Sequence, residues 1–179
     1  MLNLRSKVFR DAIHGLISID DDRDLFLDLI NTPEFQRLWR IKQLGVSSLT
    51  YPNAEHTRFA HSLGVFHVAT RILDTLQRRY RHNHDIACRL TGRDVRNVKV
   101  AALLHDLGHG PFSHVMEHVF PEATGEHEKR SQQMIVEECS GIRQVLESHS
   151  FTSTDIETVQ MLLEQHEVPY LHDIISSTL

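Results

Sequence analysis

The 179-residue chain is long enough for one domain with a substantial core and too short to hold two independent domains. With 40% apolar and 24% charged residues it has the composition of an ordinary globular protein, which excludes a low-complexity or disordered chain. Nineteen basic against 24 acidic residues give a formal charge of -5, so nucleic acid is not expected as the main partner.

The expected location is the cytoplasm. The two cysteines, Cys88 and Cys139, form no CxxC pattern and are too few for a disulfide framework, which favours a reducing compartment. The first ten residues lack the apolar run of a signal peptide, and no stretch approaches the roughly 20 apolar residues of a membrane span. We therefore expect no membrane partner.

The N-terminal third predicts a hairpin followed by two helices. Residues 7–20 carry β-branched and apolar side chains around the break at His14-Gly15, as in two short strands or an irregular hairpin. Helical spacing of apolar residues begins after Asp21. Asn31-Thr32-Pro33 then supplies a stop and an N-cap with proline at the first position of a second helix.

The rest of the chain is predicted to be helical, apart from a loop at residues 45–55. A long amphipathic helix starts near residue 56 and fades into the polar, basic stretch 77–84. Asp94 opens a helix whose apolar run 98–104 is expected to be buried on several sides. Further helices are predicted at residues 113–119, 126–139, 142–147, 155–166 and 169–179. The predicted fold class is all-α with a short N-terminal β-hairpin.

His105 and Asp106 stand side by side at the end of the apolar helix, directly before a glycine-rich loop. Adjacent helical residues point about 100° apart, so the pair cannot share a face, but both side chains can reach an ion at the helix end. A lone pair of this kind is usually a cap or a surface pair. Residues 56–61 add two imidazoles and an arginine on a different helix, and mixed nitrogen and oxygen donors suit a divalent metal. We therefore expect two helices to converge on one ion.

Five stretches carry a more specific signal. They are residues 11–15 (DAIHG), 32–38 (TPEFQRL), 41–45 (IKQLG), 56–64 (HTRFAHSLG) and 104–114 (LHDLGHGPFSH). Together they resemble the HD-domain superfamily of metal-dependent phosphohydrolases, specifically its deoxynucleoside triphosphate triphosphohydrolase branch, and the last stretch is highly specific by its length. The resemblance implies a helical HD-domain bundle.

The resemblance also implies a metal centre. His61, His105 and Asp106 match the family's histidine, histidine and aspartate ligands to one divalent metal ion, with a second aspartate farther along completing the site. The ion would polarise phosphate oxygens and lower the pKa of bound water. Histidine and aspartate ligands suit Mn, Fe, Mg, Zn or Ni, so the sequence does not identify the metal.

Catalytic and substrate-binding roles follow from the same resemblance. His109 and His127 match histidines near the phosphates, with His127 the candidate general acid. Glu117 falls where animal relatives have an aspartate thought to work with the catalytic histidine. Arg58 matches an arginine that pairs with substrate phosphate, and Gln43 matches a residue that contacts the sugar.

Each assignment has a structural alternative. Arg58 also fits a surface ion pair, and His127 also fits a helix cap. His67 fits a hydrogen-bonded core histidine better than a ligand, and Trp39 fits the core better than a base-stacking platform. Five histidines in polar contexts are expected to be solvated: His82, His84, His149, His166 and His172.

The family's fourth ligand lies shortly after a segment resembling residues 170–177, just past Leu179, and Asp173 does not match it. We therefore expect residues 1–179 to be a single HD domain that is incomplete at its C-terminal end. Loss of a ligand and of a pocket wall predicts that the isolated chain is weakly active or inactive.

The leading functional hypothesis is hydrolysis of a deoxynucleoside triphosphate (dNTP) to deoxynucleoside and inorganic triphosphate. The alternatives are an HD phosphohydrolase acting on nucleoside monophosphates or other phosphoesters, because the site dictates the chemistry and not the substrate, and a non-catalytic oligomerisation or regulatory fragment. The family resemblance also implies a homo-oligomer. The nucleotide regulation of the animal relative is not carried over, because this chain has Asn31 and Trp39 where that relative has charged residues.

Overall fold

The computed structural model describes residues 7–79, 90–120 and 127–163. It opens on an antiparallel hairpin in which β1 (Lys7–Asp11) pairs with β2 (Gly15–Ile19). At the turn, Asp11 Oδ1 accepts hydrogen bonds from two backbone N–H groups, and Gly15 has a φ of 76°, which favours glycine. Ile17 and Ile19, on one face of β2, are buried and attach the hairpin to the helical core. The hairpin predicted around His14-Gly15 is confirmed.

Thr32 separates the first two helices, α1 (Arg23–Asn31) and α2 (Pro33–Gln36). Its Oγ1 accepts a hydrogen bond from the backbone N–H of Phe35, and proline fills the first position of α2, as the sequence predicts. A 3-10 helix (Arg37–Arg40) follows directly. The chain turns extended at Ile41, so that Lys42 can form a β-bridge with Thr57. The second predicted helix is therefore one α-turn continued by a 3-10 turn.

Two long helices form the centre of the structure, α3 (Arg58–Arg79) and α4 (Gly92–Leu104). Helix α4 starts two residues before the predicted Asp94, because Thr91 is its N-cap and Asp94 completes a reciprocal capping box with it. The apolar run of α4 is inaccessible to solvent: Val98, Val100, Ala101, Ala102, Leu103 and Leu104. A helix buried on all sides carries the residues at its C-terminal end into the interior.

Four shorter helices complete the described part. They are α5 (Ser113–Val119), α6 (His127–Val136), α7 (Gly141–Ser148) and α8 (Ser153–Leu163). The predicted 126–139 helix is shorter than expected, because the chain turns after Val136 and Ser140 caps α7 with its hydroxyl. The helix predicted at 169–179 lies outside the described residues.

Helix α4 packs between α3 and α8, and α1 packs against α7. A 3-10 turn (Ser47–Leu49) interrupts the predicted loop at 45–55. The fold is all-α with a short N-terminal hairpin, as the sequence predicts. Within the described ranges no helix is long and apolar enough to span a bilayer.

Candidate metal centre

Three donor side chains meet where the start of α3 faces the end of α4. His61 lies in the first turn of α3, while His105 and Asp106 follow the last residue of α4. His61 Nε2 lies 3.3 Å from His105 Nε2 and 3.9 Å from Asp106 Oδ2, and His105 Nε2 lies 3.4 Å from Asp106 Oδ1. The two helices therefore converge, and the side-by-side pair at the helix end does reach the donor from α3.

The spacing of these donors fits a single divalent ion. Donors held at about 2.1 Å from one ion lie about 3.0 Å apart at adjacent octahedral positions and about 3.4 Å apart in a tetrahedron. His105 Nδ1 lies 2.9 Å from the carbonyl oxygen of Ala102. An Nδ1–H donated to that carbonyl fixes the tautomer and leaves the Nε2 lone pair directed toward the other two donors. His61, His105 and Asp106 thus form a group able to hold a metal.

Asp106 is buried and ionised. Its Oδ2 accepts a 2.8 Å hydrogen bond from Arg58 Nη1, and both side chains are at least 93% buried. Burial raises the pKa of Asp106, but hydrogen bonding by His109 and the charges of His105 and Arg58 outweigh it and hold that pKa far below its usual range. A permanent carboxylate is the form that a metal ligand requires.

The imidazole of His61 is kept neutral. Burial lowers the pKa of His61, and the neighbouring charges of His105 and Arg58 lower it further, against the opposing effect of Asp106. The neutral imidazole has a free lone pair, which the protonated form lacks. Both the carboxylate and this imidazole therefore favour binding of a cation.

A second pair of imidazoles flanks the donor group. The ring of His109 is stacked on that of His127, with centroids 3.8 Å apart and planes inclined by 20°. His109 Nε2 lies 3.3 Å from Asp106 Oδ1, and its Nδ1 lies 2.6 Å from Ser113 Oγ. Burial lowers the pKa of His109, partly offset by its hydrogen bond to Asp106. Two imidazoles, side chains suited to proton transfer, thus lie next to the donor group.

The loop after α4 touches α6 at Gly108. Its backbone N–H donates a 2.7 Å hydrogen bond to Ser131 Oγ, and Ser131 lies one helical turn after His127. A Cβ added at Gly108 would lie 2.0 Å from the carbonyl oxygen of His127 and 2.5 Å from the backbone nitrogen of Ser131. Only glycine permits this approach, and the approach brings His127 against His109.

Arg37 holds the same loop from the opposite direction. Its Nη1 donates a 2.7 Å hydrogen bond to the carbonyl oxygen of His109, and its Nη2 donates to that of Leu107. Burial lowers the pKa of the Arg37 guanidinium, as does the nearby charge of Arg130, but a guanidinium remains protonated at neutral pH. The family resemblance assigns no role to Arg37, Ser113 or Ser131. The sequence signal for the two serines is that each stands four residues after a histidine, His109 or His127.

Of the remaining predicted site residues, the structure describes the positions of three and leaves the side chain of the fourth undescribed. Gln43 is half-buried, and its backbone N–H bonds the carbonyl oxygen of His56, two residues before Arg58. Arg58 does not form the surface ion pair of the alternative interpretation, since it is buried. His127 is the first residue of α6. The side chain of Glu117 lies outside what the structure describes.

Two expectations about other side chains are wrong. Trp39 is 53% exposed, because one face of its ring stacks on Phe59 at 4.1 Å while the rest faces solvent. His149 is not simply solvated, because its Nε2 lies 2.8 Å from Asp28 Oδ2. His67 is half-buried, and its ring contacts that of His14, with centroids 5.4 Å apart. The expected solvation of His82, His84, His166 and His172 lies outside the described residues.

A helical bundle with a histidine and aspartate donor group at the end of a buried helix defines an HD-type fold and site. Residues 58–172 match the HD domain family, and the chain belongs to this family of phosphohydrolases. Over 176 residues it is 32% identical to a deoxynucleoside triphosphate triphosphohydrolase SAMHD1 homolog of Dictyostelium discoideum. The aligned residues make up 96% of this chain and 33% of that protein.

Two further relatives show the same pattern. The deoxynucleoside triphosphate triphosphohydrolase SAMHD1 of Danio rerio is 41% identical over 150 residues, 80% of this chain and 23% of that protein. The uncharacterized protein YwfO of Bacillus subtilis is 48% identical over 114 residues, 64% of this chain and 24% of that protein. The chain thus spans a third or less of the length of these relatives.

Proposed function

We propose that the chain is a metal-dependent phosphohydrolase that converts a dNTP to deoxynucleoside and inorganic triphosphate. The observation that carries this proposal is the convergence of His61, His105 and Asp106 within 3.9 Å of one another, beside the stacked imidazoles of His109 and His127. The substrate is inferred from the relatives in Dictyostelium discoideum and Danio rerio, which are deoxynucleoside triphosphate triphosphohydrolases by name.

His61, His105 and Asp106 would hold one divalent ion. A divalent ion in such a site polarises phosphate oxygens and makes water a better nucleophile. Arg58 and the Ala102 carbonyl fix the orientation of two of the donors before any ion binds. This preorganisation reduces the cost of bringing a carboxylate and two imidazoles together.

His109 and His127 would provide proton transfer and hydrogen bonding during the reaction. Water adds to the α-phosphorus, the bond from that phosphorus to the 5′ oxygen breaks, and the departing 5′ oxygen takes up a proton. In this proposal His127 is the general acid that supplies the proton. The Nε2 of the buried His109, which contacts Asp106 Oδ1 in the metal-free chain, would donate to the charge developing on phosphate oxygens when an ion takes over that carboxylate oxygen. Glu117 would assist the catalytic histidine with its carboxylate.

Arg58 and Gln43 would contact the substrate. Arg58 Nη1 donates to Asp106, while its Nε is buried and has no hydrogen-bond partner among the described residues. A bidentate phosphate contact suits a guanidinium, and in this proposal the side chain would turn toward the site to make it. Gln43 reaches the same region because residues 41–43 run antiparallel to residues 56–58. We assign it to the sugar.

Metal binding tests this proposal most directly. Titration of the metal-free chain with Mn²⁺ in a calorimeter should show one site, and His105→Gln or Asp106→Asn should weaken binding by about 10-fold or more. His118→Gln, at an exposed position on α5, is the matched control and should bind like the unsubstituted chain. Binding that is equally strong in all four proteins would exclude a site at these residues.

The products decide the substrate class. With a dNTP and Mn²⁺, we expect slow release of triphosphate and deoxynucleoside, and none with His105→Gln. Release of orthophosphate from a nucleoside monophosphate would instead favour a phosphohydrolase that acts on nucleoside monophosphates or other phosphoesters, because the same metal ligands serve both reactions. Release of neither product by a chain that binds Mn²⁺ would favour a regulatory fragment.

The proposal includes a single domain spanning residues 1–179, a cytoplasmic location and a homo-oligomer. Several large apolar side chains of α5 and its flanks are more than half exposed: Phe112, Val115, Val119 and Phe120. Apolar groups clustered in this way are common at protein contacts. Sedimentation velocity over a range of concentrations would measure the assembly state.

A further inference from the structure

The backbone of the loop that carries His109 is held by a side chain from a distant part of the chain. Residues 107–109 follow α4, where carbonyl groups lack the intrahelical partners that they have within the helix. The carbonyl oxygens of Leu107 and His109 both accept hydrogen bonds from Arg37, which lies 70 residues or more earlier in the chain. One guanidinium therefore fixes both ends of this three-residue segment.

The geometry suits arginine in particular. A guanidinium presents several N–H donors in one rigid plane, so Nη1 and Nη2 can bond two acceptors at the same time. Lysine has one ammonium group on a flexible stem, which cannot hold two carbonyl groups in a fixed relation as well. Arg37 itself is held in place because Phe35 and Leu38, on either side of it, are fully buried.

The segment is thus clamped between two elements. Arg37 bonds its carbonyl groups, and Ser131 of α6 bonds the N–H of Gly108. The His109 ring, which leaves this segment, lies 3.3 Å from Asp106 Oδ1 and stacks on His127. Rotation of the peptide groups on either side of Gly108 would move that ring out of both contacts.

We propose that Arg37 is a positioning residue, which clamps the backbone of residues 107–109 so that His109 stays between Asp106 and His127. This inference rests on the proposed function for its catalytic consequence. Arg37 contacts neither of these rings through the hydrogen bonds described, and it acts through the main chain.

Amide hydrogen exchange of the metal-free chain of residues 1–179 tests the clamp. Arg37→Met keeps the length of the side chain and removes its donors, so the amides of residues 107–109 should exchange about tenfold faster or more, while those of α4 do not change. Arg40→Met, an exposed arginine in the same 3-10 helix, is the control and should leave these amides unaffected. Arg37→Lys should restore part of the protection.

Two exchange results would overturn the proposal: equal acceleration throughout α4, or the same acceleration in Arg40→Met. If Arg37→Met does not fold, Arg37→Lys is the decisive variant. Amides of residues 107–109 that exchange as slowly with lysine as with arginine would show that the two-donor guanidinium is not needed, and would contradict the proposal. The experiment uses neither metal nor substrate. It therefore decides the role of Arg37 even where the metal titration rejects the proposed function.

Turnover gives a second test. Displacement of His109 should lower kcat for dNTP hydrolysis by about tenfold or more and leave KM within about threefold, because ground-state binding of the nucleotide is not altered. Mn²⁺ affinity should change little, since the three donors lie outside the clamped segment. An increase in KM alone would show that Arg37 binds substrate and would refute the positioning role.

Discussion

Asp106 is the side chain on which the candidate site depends most. It is approached by Arg58 from α3, by His61 and His105, and by His109 from the loop that follows. Its charge compensates the buried guanidinium and is available to a cation at the same time. Substitutions around this carboxylate are therefore expected to change stability as well as chemistry.

We expect Arg58→Met to destabilise the metal-free chain by about 3–5 kcal/mol, because it removes the shortest hydrogen bond to the buried Asp106 carboxylate, at 2.8 Å. The measurement is urea unfolding in the presence of a chelator. Arg71→Met, at an exposed position on the same helix, should change the free energy of unfolding by less than about 0.5 kcal/mol. Equal effects of the two substitutions would mean that the buried pair adds nothing.

Gly108→Ala should cost about 2–4 kcal/mol of unfolding free energy, because the new Cβ would overlap backbone atoms of α6 that cannot move without shifting the helix. Gly92→Ala is the matched control. A Cβ there meets nothing within 4 Å, and alanine is the better helix former, so that variant should be as stable or slightly more stable. Similar stability of the two variants would disprove the close approach of the loop to α6.

For individual residues, the sequence identifies the candidate metal ligands but does not predict which side chains form hydrogen bonds with them. His105 and Asp106 are recognisable because they stand together at the end of an apolar run, and His61 by its motif. The bonds from Arg58 to Asp106 and from Arg37 to residues 107–109 span 48 and about 70 residues. No local pattern encodes such pairs, since they depend on how the helices pack.

Helix boundaries in this chain are set by short-range capping. Thr91 with Asp94 and Thr152 with Asp155 form the same reciprocal arrangement, in which a threonine hydroxyl and a carboxylate bond each other's backbone N–H groups. Asp155 is also bonded by Arg93 at the start of α4. The starts of α4 and α8 are therefore tied together by one carboxylate.

This carboxylate should make stability depend on acid pH. Burial raises the pKa of Asp155, but hydrogen bonds from Thr152 and Asn97 and the charge of Arg93 outweigh it, so the pKa is lower in the folded chain than in the unfolded one. The stabilisation is complete above the unfolded pKa of about 3.9 and is lost as the pH falls through the folded value.

We therefore expect Asp155→Asn to be about 2 kcal/mol less stable than the unsubstituted chain at pH 7, with the difference shrinking below about pH 4. Urea unfolding at a series of pH values measures it. Glu157→Gln, exposed on the same helix, is the control and should change the free energy of unfolding at pH 7 by less than about 0.5 kcal/mol. A difference for Asp155→Asn that does not vary with pH would show that its charge is not involved.

Caps and turns made most elements predictable. Asn31-Thr32-Pro33 places the boundary between α1 and α2, and the turn at His14-Gly15 places the hairpin. The 3-10 turn after α2 and the early end of α6 were not predicted. Helical spacing of apolar residues does not separate an α-turn from a 3-10 turn. Residues 137–139, which are predicted as the end of a helix, instead form the turn that leads to the Ser140 cap of α7.

In the whole molecule, α4 joins the core to the site. Its apolar run is surrounded by α3 and α8, and its end supplies His105 and Asp106. Two of the donors thus follow the most extensively buried helix, while His61 comes from the helix packed against it. Binding of an ion by residues from both helices should stabilise the fold as a unit.

An ion that binds only the folded chain, at 100 times its dissociation constant, adds about 2.7 kcal/mol of stability, and in a chain of this size should raise Tm by about 5–10 °C. Differential scanning calorimetry with Mn²⁺, and again after a chelator is added, measures this shift. It should disappear in His105→Gln and persist in His118→Gln. A shift of the same size in His105→Gln would place the ion elsewhere.

Trp39 gives this site an optical reporter. It is the only tryptophan of the chain, and its half-exposed ring stacks on Phe59, the residue after Arg58. The fluorescence emission of tryptophan therefore comes from Trp39 alone. Trp39 stacks on Phe59, and Phe59 follows Arg58, which donates a hydrogen bond to Asp106. If ion binding shifts the first turn of α3, we expect the emission of Trp39 to be quenched or shifted during a metal titration, and Phe59→Leu should abolish that response.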